Sequence, residues 1–331
     1  MHPFNKRSGG RVRRRRGAGV AALAGLVCSL LSPPLRAADE QEAVFRTETR
    51  LVVLHATVVD KNGHLVTNLP RTAFKVFENG VEQNLKVFRR EDVPVSMGLI
   101  IDNSGSMRDK RQKVEAAALA LVKDSNPDDE VFVVNFNDEA FLDTPKMTND
   151  VKVLEQALAR IDSRGGTAMR DALRMSLDYL KEKGKRDKKV LVVVTDGNDN
   201  ASGVSLESLV KAAQQSEVLI YAVGLLSEEE RRDAKRAKRA LDALTEATGG
   251  QAYYPKEVSE VDRIAHQVAR DIRNQYILAY SPSNQSLDGG FRQIRVTVNG
   301  PNRPSVRTRS GYYATPEVNR TTAAASPVAS H

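Results

Sequence analysis

The sequence predicts an α/β protein in which a doubly wound domain is inserted between two β-rich flanks that form a small β-sandwich. Three observations carry this expectation. Residues 93–274 alternate continuous apolar runs with amphipathic helical patterns, as expected of a mainly parallel sheet with helices on both faces. Residues 47–92 and 275–314 instead alternate apolar and polar positions, as half-buried strands do. Neither flank has strands enough to bury a core alone, because a lone hairpin is marginal. The two are therefore expected to pair with each other.

Residues 1–37 read as a secretory signal. A basic stretch ends at Arg16, an apolar run follows from Gly17 to Leu31, Ser32-Pro33-Pro34 breaks it, and Ala37-Ala38 offers a cleavage site. The run is shorter than the ~20 residues that cross a bilayer, and the mature chain shows no other apolar span. The lone Cys28 lies in this run behind Val27, a poor lipoprotein site, so the mature chain has no disulfide or thiolate metal site. An exported product is expected, periplasmic or extracellular. The net charge of +8 also belongs to this leader, which holds eight basic residues and no acid. Without it 42 basic residues face 42 acidic ones, which removes the argument for a nucleic-acid partner. Composition is otherwise globular and excludes a wholly disordered, collagen-like or polytopic membrane protein.

After a linker at 38–46, the first flank spans 47–92. Val52, Leu54, Ala56 and Val58 alternate on one face, Asn62-Gly63 gives a hairpin signal, and Phe74 and Val76 lead to a second turn at Asn79-Gly80 before Leu85 and Val87. The doubly wound part then opens with the strand Val93–Ile101 and a helix carrying Val114, Ala118, Leu121 and Val122. Strand Val131–Phe136 and a helix with Val151, Leu154, Leu158 and Ile161 follow. Met169, Ala172, Leu173, Leu177 and Leu180 mark a third helix, ahead of strand Val190–Val194. Leu206, Leu209 and Val210 mark the next helix and Val218–Val223 the next strand. A helix with Leu241 and Leu244 ends at Gly249-Gly250, and Val261, Ile264, Val268 and Ile272 define the last. The second flank, 275–314, holds strand Tyr276–Tyr280, a strand around Ile294, Val296 and Val298, and one strand from Ser305 to Tyr313. The Ala-, Ser- and Thr-rich tail 315–331 is expected to be disordered.

In a doubly wound sheet, ligands bind beyond the carboxyl ends of the strands. Three polar clusters fall there: Asp102-Asn103-Ser104-Gly105-Ser106-Met107, Gly165-Gly166-Thr167, and Thr195-Asp196-Gly197-Asn198-Asp199. Each has a plain reading as helix caps or turns. Taken together they offer two carboxylates, Asp102 and Asp196, and three hydroxyls, Ser104, Ser106 and Thr167, on one rim. An all-oxygen set with no His or Cys suits magnesium or manganese better than zinc. Helix N-termini repel a cation, so the two carboxylates are needed to hold it. A coordination position left to water could take an Asp or Glu side chain of a partner protein.

The pattern Asp102-x-Ser104-x-Ser106, Thr167 and Asp196-Gly197 resembles the metal-ion-dependent adhesion site of von Willebrand factor type A domains. The resemblance covers about Pro94 to Asn274, a Rossmann-like domain, and takes in Tyr221-Ala222-Val223-Gly224 and Thr248-Gly249-Gly250. Phe74-Lys75-Val76-Phe77-Glu78-Asn79-Gly80 and Gln275-Tyr276-Ile277-Leu278-Ala279-Tyr280-Ser281-Pro282 are similar to secreted bacterial proteins called VWFA-related, acidobacterial type. The resemblance implies a binding or adhesion module rather than an enzyme, with Asp102, Ser104, Ser106, Thr167 and Asp196 as metal ligands. The alternative is a structural part of an envelope assembly in which the rim only caps helices.

Catalytic motifs are missing from the sequence. There is no G-x-S-x-G elbow, no G-x-G-x-x-G and no phosphate loop. His55, His64, His266 and His331 stand in no motif, and a metal-assisted hydrolase has no evident general base. Glu228–Arg239 mixes charges as a solvated helix face does. Lys181–Lys189 is more basic and reads as a helix end, with contact to an anionic surface as its other reading. Tyr253-Tyr254 and Tyr312-Tyr313 read as packing residues.

Overall fold

The computed structural model describes residues 50–160, 163–227 and 231–316. The leader, the linker, Ile161, Glu228 and the tail beyond Pro316 lie outside the described residues.

Six strands form the central sheet: β5 (Val95–Asp102), β6 (Glu130–Phe136), β7 (Ala140–Leu142), β8 (Lys188–Thr195), β9 (Leu219–Gly224) and β10 (Ala252–Tyr253), in the order β10-β9-β8-β5-β6-β7. All pairs are parallel except β6 with β7. Alternate residues of each strand enter different cores. Met97, Leu99 and Ile101 pack with α1 (Arg111–Lys123), α2 (Val151–Leu158) and α6 (Val261–Arg273). Ile100, Phe132 and Val193 pack with α3 (Met169–Lys183), α4 (Leu206–Ser216) and α5 (Arg231–Thr248) on the other face. Every residue of β5 is buried, which is why the sequence shows a run there and no alternation.

The flanks supply eight further strands: β1 (Val52–Val59), β2 (Phe74–Glu78), β3 (Val81–Gln83), β4 (Leu85–Arg89), β11 (Tyr276–Tyr280), β12 (Phe291–Val298), β13 (Ser305–Arg307) and β14 (Gly311–Tyr313). They form two four-stranded sheets, β13-β1-β11-β4 and β14-β12-β2-β3, each mixing strands from both flanks. Val52, Leu54, Phe74, Val76, Tyr276, Leu278 and Ile294 close a common core between them. The expected pairing of the flanks is thus observed, strand by strand.

Two expectations need correcting. Ser305 to Tyr313 forms two short strands, because the chain crosses at Thr308-Arg309-Ser310 from β13 in one sheet to β14 in the other. Asn62-Gly63 makes a turn, with Gly63 at φ +83°, but only one bridge, Val59 with Leu65, follows it in place of a second strand. Asn79-Gly80 does make the β2–β3 hairpin, with both residues at positive φ.

Gly249 and Gly250 let α5 end between the two layers. A Cβ on Gly250 would lie 1.9 Å from the carbonyl oxygen of Ile220 on β9. Gly249 adopts φ +85°, and its Cβ would lie 2.5 Å from the backbone beyond β13.

Candidate metal centre

The strand order reverses at β5 and β8, so the gap beyond their carboxyl ends is the topological switch point. Their register pairs Ile101 with Val194, which sets Asp102 level with Thr195. Thr195 Oγ1 donates to Asp102 Oδ2 at 2.6 Å, and the Ser104 amide donates to Asp102 Oδ1 at 2.8 Å. One residue on, Asp196 Oδ1 accepts from Ser106 Oγ at 2.7 Å and Oδ2 from Lys110 Nζ at 2.5 Å. The Ser104 and Ser106 hydroxyl oxygens lie 3.2 Å apart.

The loop before α3 is tied to both neighbours. Gly105 donates its amide to Gly165 O at 3.4 Å, and Arg164 its amide to Asn103 O at 3.2 Å. Thr167 and Asn200 are joined twice, the Thr167 amide donating to Asn200 Oδ1 at 2.9 Å and the Asn200 amide to Thr167 O at 3.1 Å. A Cβ on Gly197 would lie 3.5 Å from Thr167 Oγ1, so the turn after Asp196 lies directly against that hydroxyl. The fold therefore brings the five residues singled out in the sequence to one rim. Asp102, Ser104, Thr167 and Asp196 are buried, and Ser106 forms the exposed lip.

The electrostatics are those of a site short of positive charge. Burial pushes the Asp102 carboxyl up to about 6, and Asp196 repels its charged form, although bonds from Ser104 and Thr195 act the other way. The Lys110 ammonium rests on Asp196 alone. Among the described residues no group of three or more His, Cys, Asp or Glu converges, so a cation here would rest on two carboxylates and hydroxyls.

None of the five side chains caps a helix. The N-cap of α1 is Lys110 and that of α3 is Ala168, neither through a side-chain bond. The first amides of α3 are met from the β8 loop instead, Arg170 N donating to Asp199 Oδ2 at 2.7 Å and Asp171 N to Ser202 Oγ at 3.1 Å. Sequence reasoning missed Lys110, Asn200 and Ser202, and named Thr195 only as a member of its polar cluster. Asn200 and Ser202 carried a signal as polar residues in a loop opposite Thr167.

Of the other candidates, Tyr253 and Tyr254 donate to Asp271 and Asp242, and the buried Tyr312 to Glu78. Burial and the charges of Lys188 and Arg309 hold the His55 imidazole near 3, so it stays neutral. His266 sits against Asp124 and Asp262 on the surface, away from this rim.

Residues 97–198 match the family model described as von Willebrand factor type A domain. Among curated proteins, calcium-activated chloride channel regulator 1 of Equus caballus is 27% identical over 169 residues, 49% of this chain and 17% of that protein. An uncharacterised protein of Synechocystis is 26% identical over 137 residues, 40% of this chain and 32% of its own length. The chain thus spans less than a third of either relative. Among solved structures, a von Willebrand factor type A protein from Catenulispora acidiphila aligns over 81% of this chain and 75% of its own, at 13% identity and a TM-score of 0.45.

Proposed function

We propose that this chain, whose residues 97–198 match the family model described as von Willebrand factor type A domain, is an exported, metal-dependent binding module. Asp102, Ser104, Ser106, Thr167 and Asp196 hold magnesium or manganese, and the partner is a protein presenting Asp or Glu. One observation carries this reading: three loops converge these five oxygen-bearing side chains on the switch point, and none of them serves as a helix cap.

The residues suit such an ion. All the donors are oxygens, and Asp102 is a buried carboxylate bonded by a hydroxyl and an amide, with the buried Arg111 acting on it only through space. Two carboxylates balance a divalent charge, while Ser104, Ser106 and Thr167 add none. When bound, the ion supplies an open position for a carboxylate oxygen. Thr195 and the Ser104 amide hold Asp102 in place, and Asn200 fixes the Thr167 loop. We read the site as binding and not catalytic. The signal-like residues 1–37 put the module in the periplasm or outside the cell, and among the described residues no helix is long and apolar enough to cross a membrane.

A second reading has one observation in its favour. Lys110 already neutralises Asp196, and Ser106 and Thr195 satisfy oxygens of both carboxylates, as in a rim that is only structural. Thermal melting in magnesium, manganese or chelator decides between them, for the wild type and Asp102→Ala. A ligand at 100 times its dissociation constant stabilises by about 2.7 kcal/mol. A melting shift in the wild type alone is the expected result. Identical melts with ion and chelator would establish the structural reading instead.

A further inference from the structure

At the amino ends of the parallel strands, opposite the rim of Asp102 and Asp196, the sandwich and the α/β layer enclose an open cleft of about 1040 Å³. Its two walls differ in chemistry. One is the outward face of the sheet β13-β1-β11-β4. There the register aligns Val87, Ala279 and Val53 in one cross-strand row, and Arg89, Ile277 and His55 in the next. The fold leaves Val53 37% and Leu51 46% exposed, so an apolar strip faces the cleft.

The other wall is the turn from α3 into β8. Lys181, Lys185, Arg186 and Lys189 line it, and Lys188 and Arg309 lie deeper. Seven basic residues line the cleft against two acidic ones, Asp187 and Glu217, and Glu217 is engaged by Arg309 at 3.3 Å. Several buried nitrogens find nothing to bond. Arg309 is 7% exposed, yet its Nε has no hydrogen-bond partner, and neither does Arg186 Nε or His55 Nδ1. Unmet buried polar groups of this kind are costly, and they cluster where an anion would satisfy them. The neutral imidazole of His55 adds a polar contact without adding charge.

We propose that this cleft binds an extended acidic peptide of a partner protein, in which Asp or Glu alternates with apolar residues. An extended chain turns successive side chains to opposite sides. Alternation therefore sets the carboxylates on the lysine wall and the apolar groups on the Val87–Ala279–Val53 row at the same time. The volume exceeds the ~300–1000 Å³ of ordinary small-molecule sites, and a free inorganic anion would leave the apolar row uncovered. A bilayer surface is too flat to reach the deeper Lys188 and Arg309. The site is separate from the metal centre and does not depend on it.

The test is fluorescence anisotropy of the full chain with a labelled peptide of alternating Glu and Val. The matched Lys-Val peptide and a short-chain phosphatidylglycerol serve as competitors. Lys185 and Arg186 hold their turn through backbone amides, donated to Glu130 and Ser96, so Lys185→Glu with Arg186→Glu reverses charge and spares the turn. The Glu-Val peptide is expected to bind and to weaken with added salt. The double variant should weaken it about tenfold or more, and Val53→Asn by a smaller factor. Asp102→Ala and chelator should leave it unchanged, which separates this site from the metal reading. Should the double variant fail to fold by circular dichroism, Lys181→Glu replaces it. No binding of the Glu-Val peptide, equal binding of the Lys-Val peptide, or undiminished binding by the charge-reversed variant would overturn the proposal. So would displacement of the peptide by phosphatidylglycerol, which would assign the cleft to a lipid.

Discussion

Lys110 Nζ lies 2.5 Å from Asp196 Oδ2, whereas Asp102 on the adjoining strand is met only by a hydroxyl and an amide. Lys110 is thus the cation in direct contact at the rim, while the buried Arg111 acts on Asp102 only through space. A divalent ion bound through Asp196 Oδ2 would share that oxygen with the lysine or displace it, and one bound through Oδ1 would still sit beside the ammonium charge.

The first prediction follows from this competition. Lys110 is partly exposed, with 27% of its side chain accessible, so its hold on Asp196 is discounted to about 1 kcal/mol. Lys110→Met should therefore lower the magnesium concentration for half-saturation about fivefold, read from melting temperature against magnesium. Arg108→Met is the control, since Arg108 donates to Ser163 O and to neither carboxylate. An unchanged half-saturation in Lys110→Met would show that the lysine does not compete.

The same residue marks a boundary of what the sequence discloses. Asp102, Ser104 and Ser106 were legible because they share one short loop after an apolar strand. Thr167 and Asp196 were legible because one closes and the other opens a loop at the same end of the sheet. Lys110 was not, and Thr195 stood in its cluster without a role, since both roles arise from a helix entry and from the β5–β8 register, which no local spacing records. The fold divides in the same way. Long buried strands such as β5 and β8 declare themselves as apolar runs. The edge strands β7 and β10 have three and two residues, too few for any period. The crossing at Thr308–Ser310 was hidden because the short polar run Arg307-Thr308-Arg309-Ser310 holds no Pro or Gly to mark a break between the strands.

A second prediction concerns the sandwich core. Glu78 on β2 is 4% exposed, and its Oε2 accepts from Tyr280 at 2.7 Å and Tyr312 at 2.9 Å. One oxygen thereby joins the two sheets, since β11 lies in one and β2 and β14 in the other. Burial and the Glu78 charge both push the two phenols upward, so they remain donors. Glu78→Leu would leave two buried hydroxyls without an acceptor, at about 1–3 kcal/mol each. Glu78→Gln keeps a carbonyl acceptor and should cost about 1 kcal/mol. Urea denaturation of both variants reads the difference. Equal losses would mean that packing volume, and not the shared acceptor, sets the stability here.

The third prediction uses a buried lysine. Lys188 opens β8 at 4% exposure and donates its Nζ to Ile272 O at the end of α6. Burial first and then the charge of Arg273 on α6 lower it to about 7, against the opposing pull of Asp92 and Asp129. Across the cleft His55 on β1 is neutral, and Arg309 adds only positive charge. An unfolded lysine titrates near 10.4. Between about 7 and 10.4 the unfolded chain therefore holds a proton that the folded chain has released. Stability must rise with pH through that window, and below about 7 the full cost of the buried charge remains. Lys188→Met removes this cost and leaves the Ile272 carbonyl without its donor, a loss of about 1 kcal/mol. The variant should be the more stable at pH 7, and the wild type should close the gap as pH rises towards 10, as read by denaturant midpoints. A gap independent of pH would show that Lys188 stays charged in the fold. An acidic peptide in the cleft supplies the missing counter-charge, so the same pH series with saturating Glu-Val peptide should flatten the wild-type slope.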